Sequence, residues 1–386
     1  MKKKILFIFG LFFLLALALS VYLLLQYSKF SNENKGASLK YVVKLVFLKG
    51  YAYDDYLKFS NLRPSSKHKK KNIEIPKKSV KKIAEILKKE KIITDSEQFV
   101  IFVRLKGADK EIKNGEFEFY TDLLPEDVLK ILIEGKEAQY EVTLPENLTY
   151  KEIAQRLEKA EVTKAEPFIK LCESEKMLKK YNIQYTIPKD RENYEPTLEG
   201  YLYPETYKFK HWTKPEVVID RLVKNMKTKL NSLKEKREKL GWTEHQLVTI
   251  ASIIGKETTN DDERYKVSSV FHNRLKKNML LQTDPTVIYR VTNRKSTKYH
   301  AGITKKMLED PTNPYNTYVY KGLPPGPIGN PNYKSLEAAL NPAKTPYLYF
   351  VSNNDGTHTF TTNYEDHLKA VKKYWKKVRK AQKKGK

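Results

Sequence analysis

The uncharged stretch from Ile5 to Leu25, 21 residues set behind Lys2, Lys3 and Lys4, constrains this chain more than any other feature. A helix of about 20 apolar residues spans the hydrocarbon core of a bilayer. The lysines in front of it place the N-terminus in the cytoplasm by the positive-inside preference. Everything after Tyr27 is then expected outside, as an extracytoplasmic or periplasmic chain on a single-pass cell (inner) membrane anchor. A cleaved signal peptide is the competing reading, since Ala16-Leu17-Ala18 has the small-residue character of a cleavage site. The apolar run continues through Val21 to Leu25, longer than an ordinary signal core, so an uncleaved anchor is expected.

The rest of the 386-residue chain is long enough for two or three domains. At 40% hydrophobic and 31% charged it is neither disordered nor polytopic. One cysteine excludes a disulfide framework and a Cys-based zinc site. Seven scattered histidines with no HExxH spacing give no reason to expect a metal, and no cofactor is expected. With 73 Lys+Arg against 46 Asp+Glu the net charge is +27. That suits an anionic partner or simply a lysine-rich surface. No arginine-rich arm, zinc-finger spacing or RNP-like aromatic motif occurs, and the outside topology argues further against nucleic acid.

The chain divides into six stretches. Residues 1–27 carry the lysine cluster and the anchor. Residues 28–71 read as a polar linker with a first strand at Tyr41 to Phe47 and a loop at Arg63 to Lys71. Residues 72–140 and 141–192 share an internal repeat. Ile75-Pro76 leads into the amphipathic segment Ile83 to Lys89, and Leu144-Pro145 leads into Ile153 to Lys159. The first copy continues with an apolar strand-like or helical run, Phe99 to Leu105, and a helix from Pro125 to Glu134. With no clustered His, Asp or Cys, it reads as a binding or positioning module. Residues 193–368 hold most of the unusual local sequence, and 369–386 form a basic helical tail. Eight of the 18 prolines fall between Asp310 and Pro346, so an irregular, stiff and functional stretch is expected there. Tyr347 to Ser352 and Thr357 to Thr361 flank Asn353-Asn354-Asp355-Gly356, a hairpin signal.

The chemistry points to one helix. Thr243 with Gln246 is a capping box, and Leu247, Ile250, Ala251 and Ile254 then follow one helical stripe. Glu257 extends that stripe. A carboxyl on a buried face near a helix C-terminus is costly to ionise, which suits a general acid protonated near neutral pH. A glutamate turned to solvent, or paired with Lys256 or Arg264, is the other reading. His245 falls on the opposite face and reads as surface. A helix from Glu263 to Lys277 is followed by Gln282, Thr283, Asp284 and Thr286, a polar set able to hold a sugar or simply a helix-exit turn. The segment Tyr315-Asn316-Thr317-Tyr318 to Gly322-Leu-Pro-Pro-Gly-Pro-Ile328 adds aromatic and amide groups on a stiff loop. Leu198-Glu199-Gly-Tyr-Leu-Tyr203-Pro204-Glu205-Thr-Tyr207 is either a cleft wall or core.

In these segments the chain resembles the endolytic murein transglycosylases of the MltG (YceG-like) family. The resemblance rests on Leu198 to Tyr207, Ala251 to Thr258, Val270-Phe-His-Asn-Arg-Leu275, Leu281-Gln-Thr-Asp-Pro-Thr-Val-Ile-Tyr289, Tyr315 to Tyr318, Gly322 to Gly326 and Asn341 to Phe350. Their order and spacing agree, and together they cover about Tyr194 to His367. The family often carries a second Glu two positions before the catalytic one; here that position is Gly255. The resemblance implies an α+β fold with an N-terminal transmembrane helix, a LysM-like βα module and a mixed α+β catalytic domain. It implies non-hydrolytic cleavage between N-acetylmuramic acid and N-acetylglucosamine inside nascent glycan strands, giving 1,6-anhydro ends and terminating elongation. Glu257 takes the catalytic role. Gln282, Thr283, Asp284, Thr286, Asn316, Thr317 and Tyr318 take substrate-binding or orienting roles, with Tyr203 and Glu205 of the same kind. The implied partners are peptidoglycan glycan strands and penicillin-binding proteins of the elongation or division machinery. A non-catalytic peptidoglycan-binding scaffold is one alternative, and a true hydrolase using Asp284 as a second carboxylate is another.

Overall fold

The computed structural model describes residues 2–135, 138–185, 191, 194–294 and 303–384. The boundary drawn from sequence between 192 and 193 and the last two residues of the tail lie outside these. The chain forms two compact units, Met1–Gln139 and Tyr140–Lys386.

The first unit runs α1 (Lys2–Glu33), α2 (Leu39–Lys49), α3 (Tyr53–Ser60), β1 (Lys70–Ile75), α4 (Val80–Lys89), α5 (Ser96–Leu105), β2 (Gly115–Tyr120) and α6 (Pro125–Glu134). Strands β1 and β2 pair antiparallel with Lys70 opposite Tyr120 and Ile75 opposite Gly115. Between them α4 and α5 pack on each other and bury Ile83, Leu87, Phe99, Phe102 and Val103. The segment Tyr41 to Phe47, expected as a strand, is inside α2. Its β-branched and aromatic residues favour a strand, but Val42 and Leu45 are the two that are buried, a three-residue spacing that only a helix puts on one face. Ser38 caps its N-terminus, and Gly50 ends it in the left-handed region at φ 66°. The run Phe99 to Leu105 is helical, capped by Asp95.

The second unit runs β3 (Tyr140–Thr143), α7 (Tyr150–Lys159), α8 (Ala165–Cys172), α9 (Glu175–Lys180), β4 (Thr206–Phe209), α10 (Pro215–Ser232), α11 (Lys234–Lys239), α12 (Glu244–Glu257), α13 (Asp261–Lys276), α14 (Asp284–Arg294), α15 (Lys305–Leu308), α16 (Tyr333–Leu340), β5 (Tyr349–Ser352), β6 (His358–Thr361) and α17 (Tyr364–Lys384). Among the described residues its sheets are the antiparallel pair β3–β4 and the hairpin β5–β6. Helix α12 is central, with every residue from Leu247 to Gly255 buried against neighbours that include α13, α14 and α16.

Three side chains of α13 tie the hairpin and its approach into this core. Asn273 donates its amide to the Thr345 and Tyr347 carbonyls at 2.8 and 2.9 Å, and Arg274 Nε donates to Leu348 O at 2.6 Å. Glu263, on the same helix, accepts from His358 N–H and lies 2.7 Å from His358 Nδ1. The core charge is Arg264, 1% exposed. It meets Glu146 in a two-pronged pair at 2.7 and 3.1 Å, Asn332 Oδ1 at 3.0 Å, the Ser335 hydroxyl, and Asp261 through Nε at 3.1 Å. One guanidinium therefore joins the loop before α7, the start of α13 and the cap of α16.

Removing one partner of such a pair leaves a desolvated charge behind. Arg264→Ala is expected to lower stability by about 3 kcal/mol. All three tryptophans lie in the second unit, so urea unfolding followed by their fluorescence reports it directly. A loss below about 1 kcal/mol, the range of surface pairs, would contradict this account.

Candidate functional site

Glu257 closes α12. The helix begins where the Thr243 hydroxyl accepts from Gln246 N–H at 3.1 Å while Gln246 Oε1 accepts from Thr243 N–H at 2.9 Å, the expected capping box. Close packing around the helix explains its glycine. A Cβ at Gly255 would collide with Asn147 Oδ1 and press on Ser335 Oγ, and Asn147 Nδ2 donates to Gly255 O at 2.7 Å. No second carboxylate fits at 255 without moving that asparagine.

Glu257 itself is half-buried. Its Oε1 accepts from the Thr283 hydroxyl. Burial pushes its carboxyl up to about 7; the Thr283 hydrogen bond pulls against that rise, and the Asp284 charge adds to it. Neither Lys256 nor Arg264 is its bonded partner, since Arg264 is committed to Glu146 and Asp261.

The approach to α14, from Gln282 into the first turn of the helix at Thr286, is built to present Thr283. Gln282 is held in the left-handed region at φ 49°, a conformation uncommon for a residue with a side chain. Its N–H donates to Thr317 O at 3.0 Å, and its side-chain oxygen accepts from Arg274 at 3.3 Å. Thr283 N–H donates to Thr317 Oγ1 at 3.0 Å, and the Thr286 and Thr317 hydroxyls meet at 2.9 Å. The Thr286 hydroxyl donates to Thr283 O at 2.7 Å. Tyr318 donates to Asp284 Oδ1 at 2.6 Å, and burial, then that hydrogen bond, raises its phenol above the ordinary range.

Seven of the residues singled out from sequence, Gln282, Thr283, Asp284, Thr286, Asn316, Thr317 and Tyr318, thus form one bonded group with Glu257. Within it, Gln282 and Asp284 are exposed and Tyr318 is half-buried, whereas Thr283, Thr286, Asn316 and Thr317 are buried. Asn316 shares its amide protons among the Met307, Leu308 and Asp310 carbonyls and accepts from Tyr318 N–H at 3.0 Å, so it organises the loop. Tyr203 and Glu205 make their bonds elsewhere. Tyr203 is buried with its N–H on Leu222 O of α10, and exposed Glu205 accepts from Asn225 of the same helix at 2.9 Å.

The reading of His245 as surface is corrected. It is 8% exposed, with Nε2 2.9 Å from Pro325 O and Nδ1 3.3 Å from the Tyr201 hydroxyl. The carbonyl can only accept, so Nε2 carries the proton and Nδ1 accepts. Burial lowers its pKa and keeps it neutral. The stiff loop packs onto α12 through this bond and through Ile328 N–H to Ser252 Oγ at 3.0 Å.

Sequence reasoning also missed Glu199, which is 2% exposed. It accepts from Tyr150 N–H at 3.1 Å, Asn330 Nδ2 at 2.8 Å and the Tyr289 hydroxyl at 3.1 Å. Burial pushes its carboxyl up to about 8, against those hydrogen bonds and the Lys256 charge. It stands in the same aromatic-rich segment as Glu205, and nothing in the local sequence marks it as the inward carboxyl.

The family described as YceG-like matches residues 73–373. The chain belongs to the YceG-like family. An endolytic murein transglycosylase of Bacillus subtilis (strain 168) is 35% identical over 325 residues, covering 82% of this chain and 88% of that protein. One of Streptococcus pneumoniae serotype 2 is 29% identical over 364 residues, and the match covers 87% of this chain and 65% of the pneumococcal protein. The crystal structure of a YceG-like protein from Listeria monocytogenes, 34% identical, superposes with a TM-score of 0.54 over 78% of this chain and 99% of that one. The YceG-like match includes every residue of the Glu257 group.

Two titrations follow. Thr283→Val removes the hydrogen bond that stabilises the Glu257 carboxylate, so the Glu257 midpoint, near 7 in the wild-type chain, is expected to move higher in a carbon-13 NMR titration of its carboxyl. A midpoint that stays or falls would show that the hydroxyl does not favour the charged form. Glu199 acts on stability. Its folded pKa of about 8 lies above the ordinary 4.5, so the unfolded chain releases this proton first as pH rises. The stability it contributes is complete below about 4.5 and is lost progressively up to about 8. Glu199→Gln keeps an acceptor for Tyr150 and Asn330 and does not titrate, so the difference in stability between variant and wild type is expected to grow in the variant's favour across that window. A flat difference would refute the assignment.

Proposed function

We propose that this chain is a membrane-anchored peptidoglycan lytic transglycosylase that cuts inside glycan strands. The observation that carries the reading is a single half-buried carboxyl, Glu257, raised to about 7 and held by Thr283 at the end of a buried helix. The names of the Bacillus and Streptococcus relatives support the substrate class.

In this mechanism protonated Glu257 gives its proton to the glycosidic oxygen between N-acetylmuramic acid and N-acetylglucosamine as the C1–O bond breaks. The resulting carboxylate takes the proton from the muramoyl C6 hydroxyl, whose oxygen bonds to C1 and closes the 1,6-anhydro ring. Glu257 ends protonated, and no water is consumed. One acid/base group is enough because the substrate supplies the nucleophile, unlike the two-carboxylate arrangement of most glycosidases. Thr283 orients the acid, and the Asp284–Tyr318 pair lies beside it for contact with the sugar. Cutting nascent strands in this way would terminate elongation, beside penicillin-binding proteins of the elongation or division machinery.

The N-terminal helix supports the anchor: Phe7–Glu33 is long and apolar enough to cross a membrane, with a mean hydropathy of 2.7. The order β1–α4–α5–β2 supports the reading of residues 72–140 as a LysM-like module. One observation favours hydrolysis as a second reading: exposed Asp284 is close enough to act on the charge of Glu257, as a carboxylate holding a water would.

Digestion of purified peptidoglycan by the full chain in detergent, with products read by mass spectrometry, separates these. Wild type is expected to give 1,6-anhydro ends, and Glu257→Gln to lose about 100-fold or more in rate. Reducing ends from wild type would favour hydrolysis, and equal activity of the two forms would remove Glu257 from the chemistry.

A further inference from the structure

The end of the apolar helix α1 is also a core element of the first unit. From Phe7 to Leu25 its large side chains are largely exposed, Phe7 at 75% and Leu25 at 58%. Then the pattern changes. Gln26, Phe30 and Asn34, four residues apart on one face, are 6%, 1% and 3% exposed. Phe30 packs edge-on to Tyr53 at 5.1 Å, Gln26 Oε1 accepts from Tyr53 N–H at 2.9 Å, and Tyr56 donates to Asn34 Oδ1 at 2.7 Å.

These bonds set the direction of α2. It starts just after Ala37, whose N–H donates to Asn34 O at 3.2 Å. It ends at Lys49, four residues before the Tyr53 that bonds Gln26. Helix α2 therefore folds back along α1 and descends from the level of Asn34 to about that of Gln26. Eleven residues at about 1.5 Å each cover that descent. Val42 and Leu45 face the core. On the outside, Lys40 and Lys44 are exposed, and below them Phe47 is 50% and Leu48 71% exposed. Two large apolar side chains thus stand in the open at the level where the apolar surface of α1 ends, one residue past Leu25.

We propose that the C-terminal end of α2 is a membrane-inserting element, with Phe47 and Leu48 seated at the boundary of headgroups and acyl chains and Lys40 and Lys44 directed at anionic lipid phosphates. The inference rests on the reading of α1 as an anchor. The occupant is the bilayer because the exposed pair continues the lipid-facing surface of α1, and because the lysines on the same face suit an anionic surface. A helix of this kind would fix the height and tilt of the first unit over the membrane, which the anchor alone, free to rotate about its axis, would not.

Spin labels at Leu17→Cys, Leu48→Cys and Lys40→Cys test this in the full chain, reconstituted into vesicles of phosphatidylethanolamine and phosphatidylglycerol. The native Cys172 is fully buried, and wild type serves as the labelling blank. Collision with oxygen marks lipid, and collision with a nickel chelate marks water. The labels at 17 and 48 are expected to collide with oxygen and to lose nickel collisions severalfold relative to the label at 40. A label at 17 in lipid with that at 48 in water would overturn the proposal and leave the anchor standing. A label at 48 shielded from both reagents would overturn it in favour of a protein partner. A label at 17 in water would remove the anchor reading and the proposal with it.

Discussion

A helix buried on all sides that ends in a glutamate is the constraint on which the second unit is built. Burying α12 from Leu247 to Gly255 requires every neighbour to come close without leaving backbone groups unpaired. The helix meets this with small or polar residues at the contacts. Gly255 admits Asn147, Ser252 receives Ile328 N–H, and His245 holds Pro325 O. Each of these fastens an irregular segment that could not pack by itself. Asn330 does the same from the loop side, bonding Leu148 O, Leu202 N–H and Glu199 together. The proline-rich stretch is therefore ordered by polar bonds to a helix rather than by secondary structure of its own.

The two high-pKa carboxyls show how far environment separates identical side chains. Both are raised chiefly by burial. Glu199 has three donors around it, two of them side chains on different segments, and no open surface, which makes it a joint of the fold. Glu257 has one hydroxyl partner and part of its surface open. An acid that must hand over a proton needs that opening and cannot have its lone pairs filled. A strongly raised pKa alone would have ranked the two the wrong way round; bonding and exposure distinguish them.

Local signals carried much of this into the sequence. The Thr243–Gln246 capping box and the hairpin at Asn353–Gly356 depend on contacts within a few residues, and the stripe that ends at Glu257 on helical spacing; the polar segment after Gln282 shows in its residue types, while its bonds reach Thr317 and Glu257. Sequence reading failed where long-range packing decides. His245 lies off the apolar stripe and reads as surface in the sequence, yet the Pro325 loop packs over that side of α12 and buries it. Tyr41 to Phe47 has strand-like composition, and only the neighbouring α1 settles it as a helix. Asn316 reads as a sugar-binding amide in the sequence, because nothing in the residue pattern shows that three backbone carbonyls six, eight and nine residues away surround it. Glu199 was passed over for Glu205 because two carboxyls in one aromatic segment cannot be told apart until the fold turns one inward.

Packing around α12 also limits the number of carboxylates that can take part in the chemistry. A hydrolase needs an acid and a second group to activate water, so its site must keep two carboxyls in different protonation states. Position 255, the place in α12 nearest to Glu257 where the family can carry another glutamate, is closed by Asn147 and Ser335. That leaves Asp284, whose oxygen already accepts from Tyr318. To hold a water it would have to use its remaining lone pairs, with its negative charge still raising Glu257. A transglycosylase asks less: one carboxyl near neutrality, used twice, with the sugar's own hydroxyl as nucleophile. In that scheme burial, with the Asp284 charge adding to it, keeps the acid protonated until the bond breaks, and the Tyr318 bond holds that charge in place.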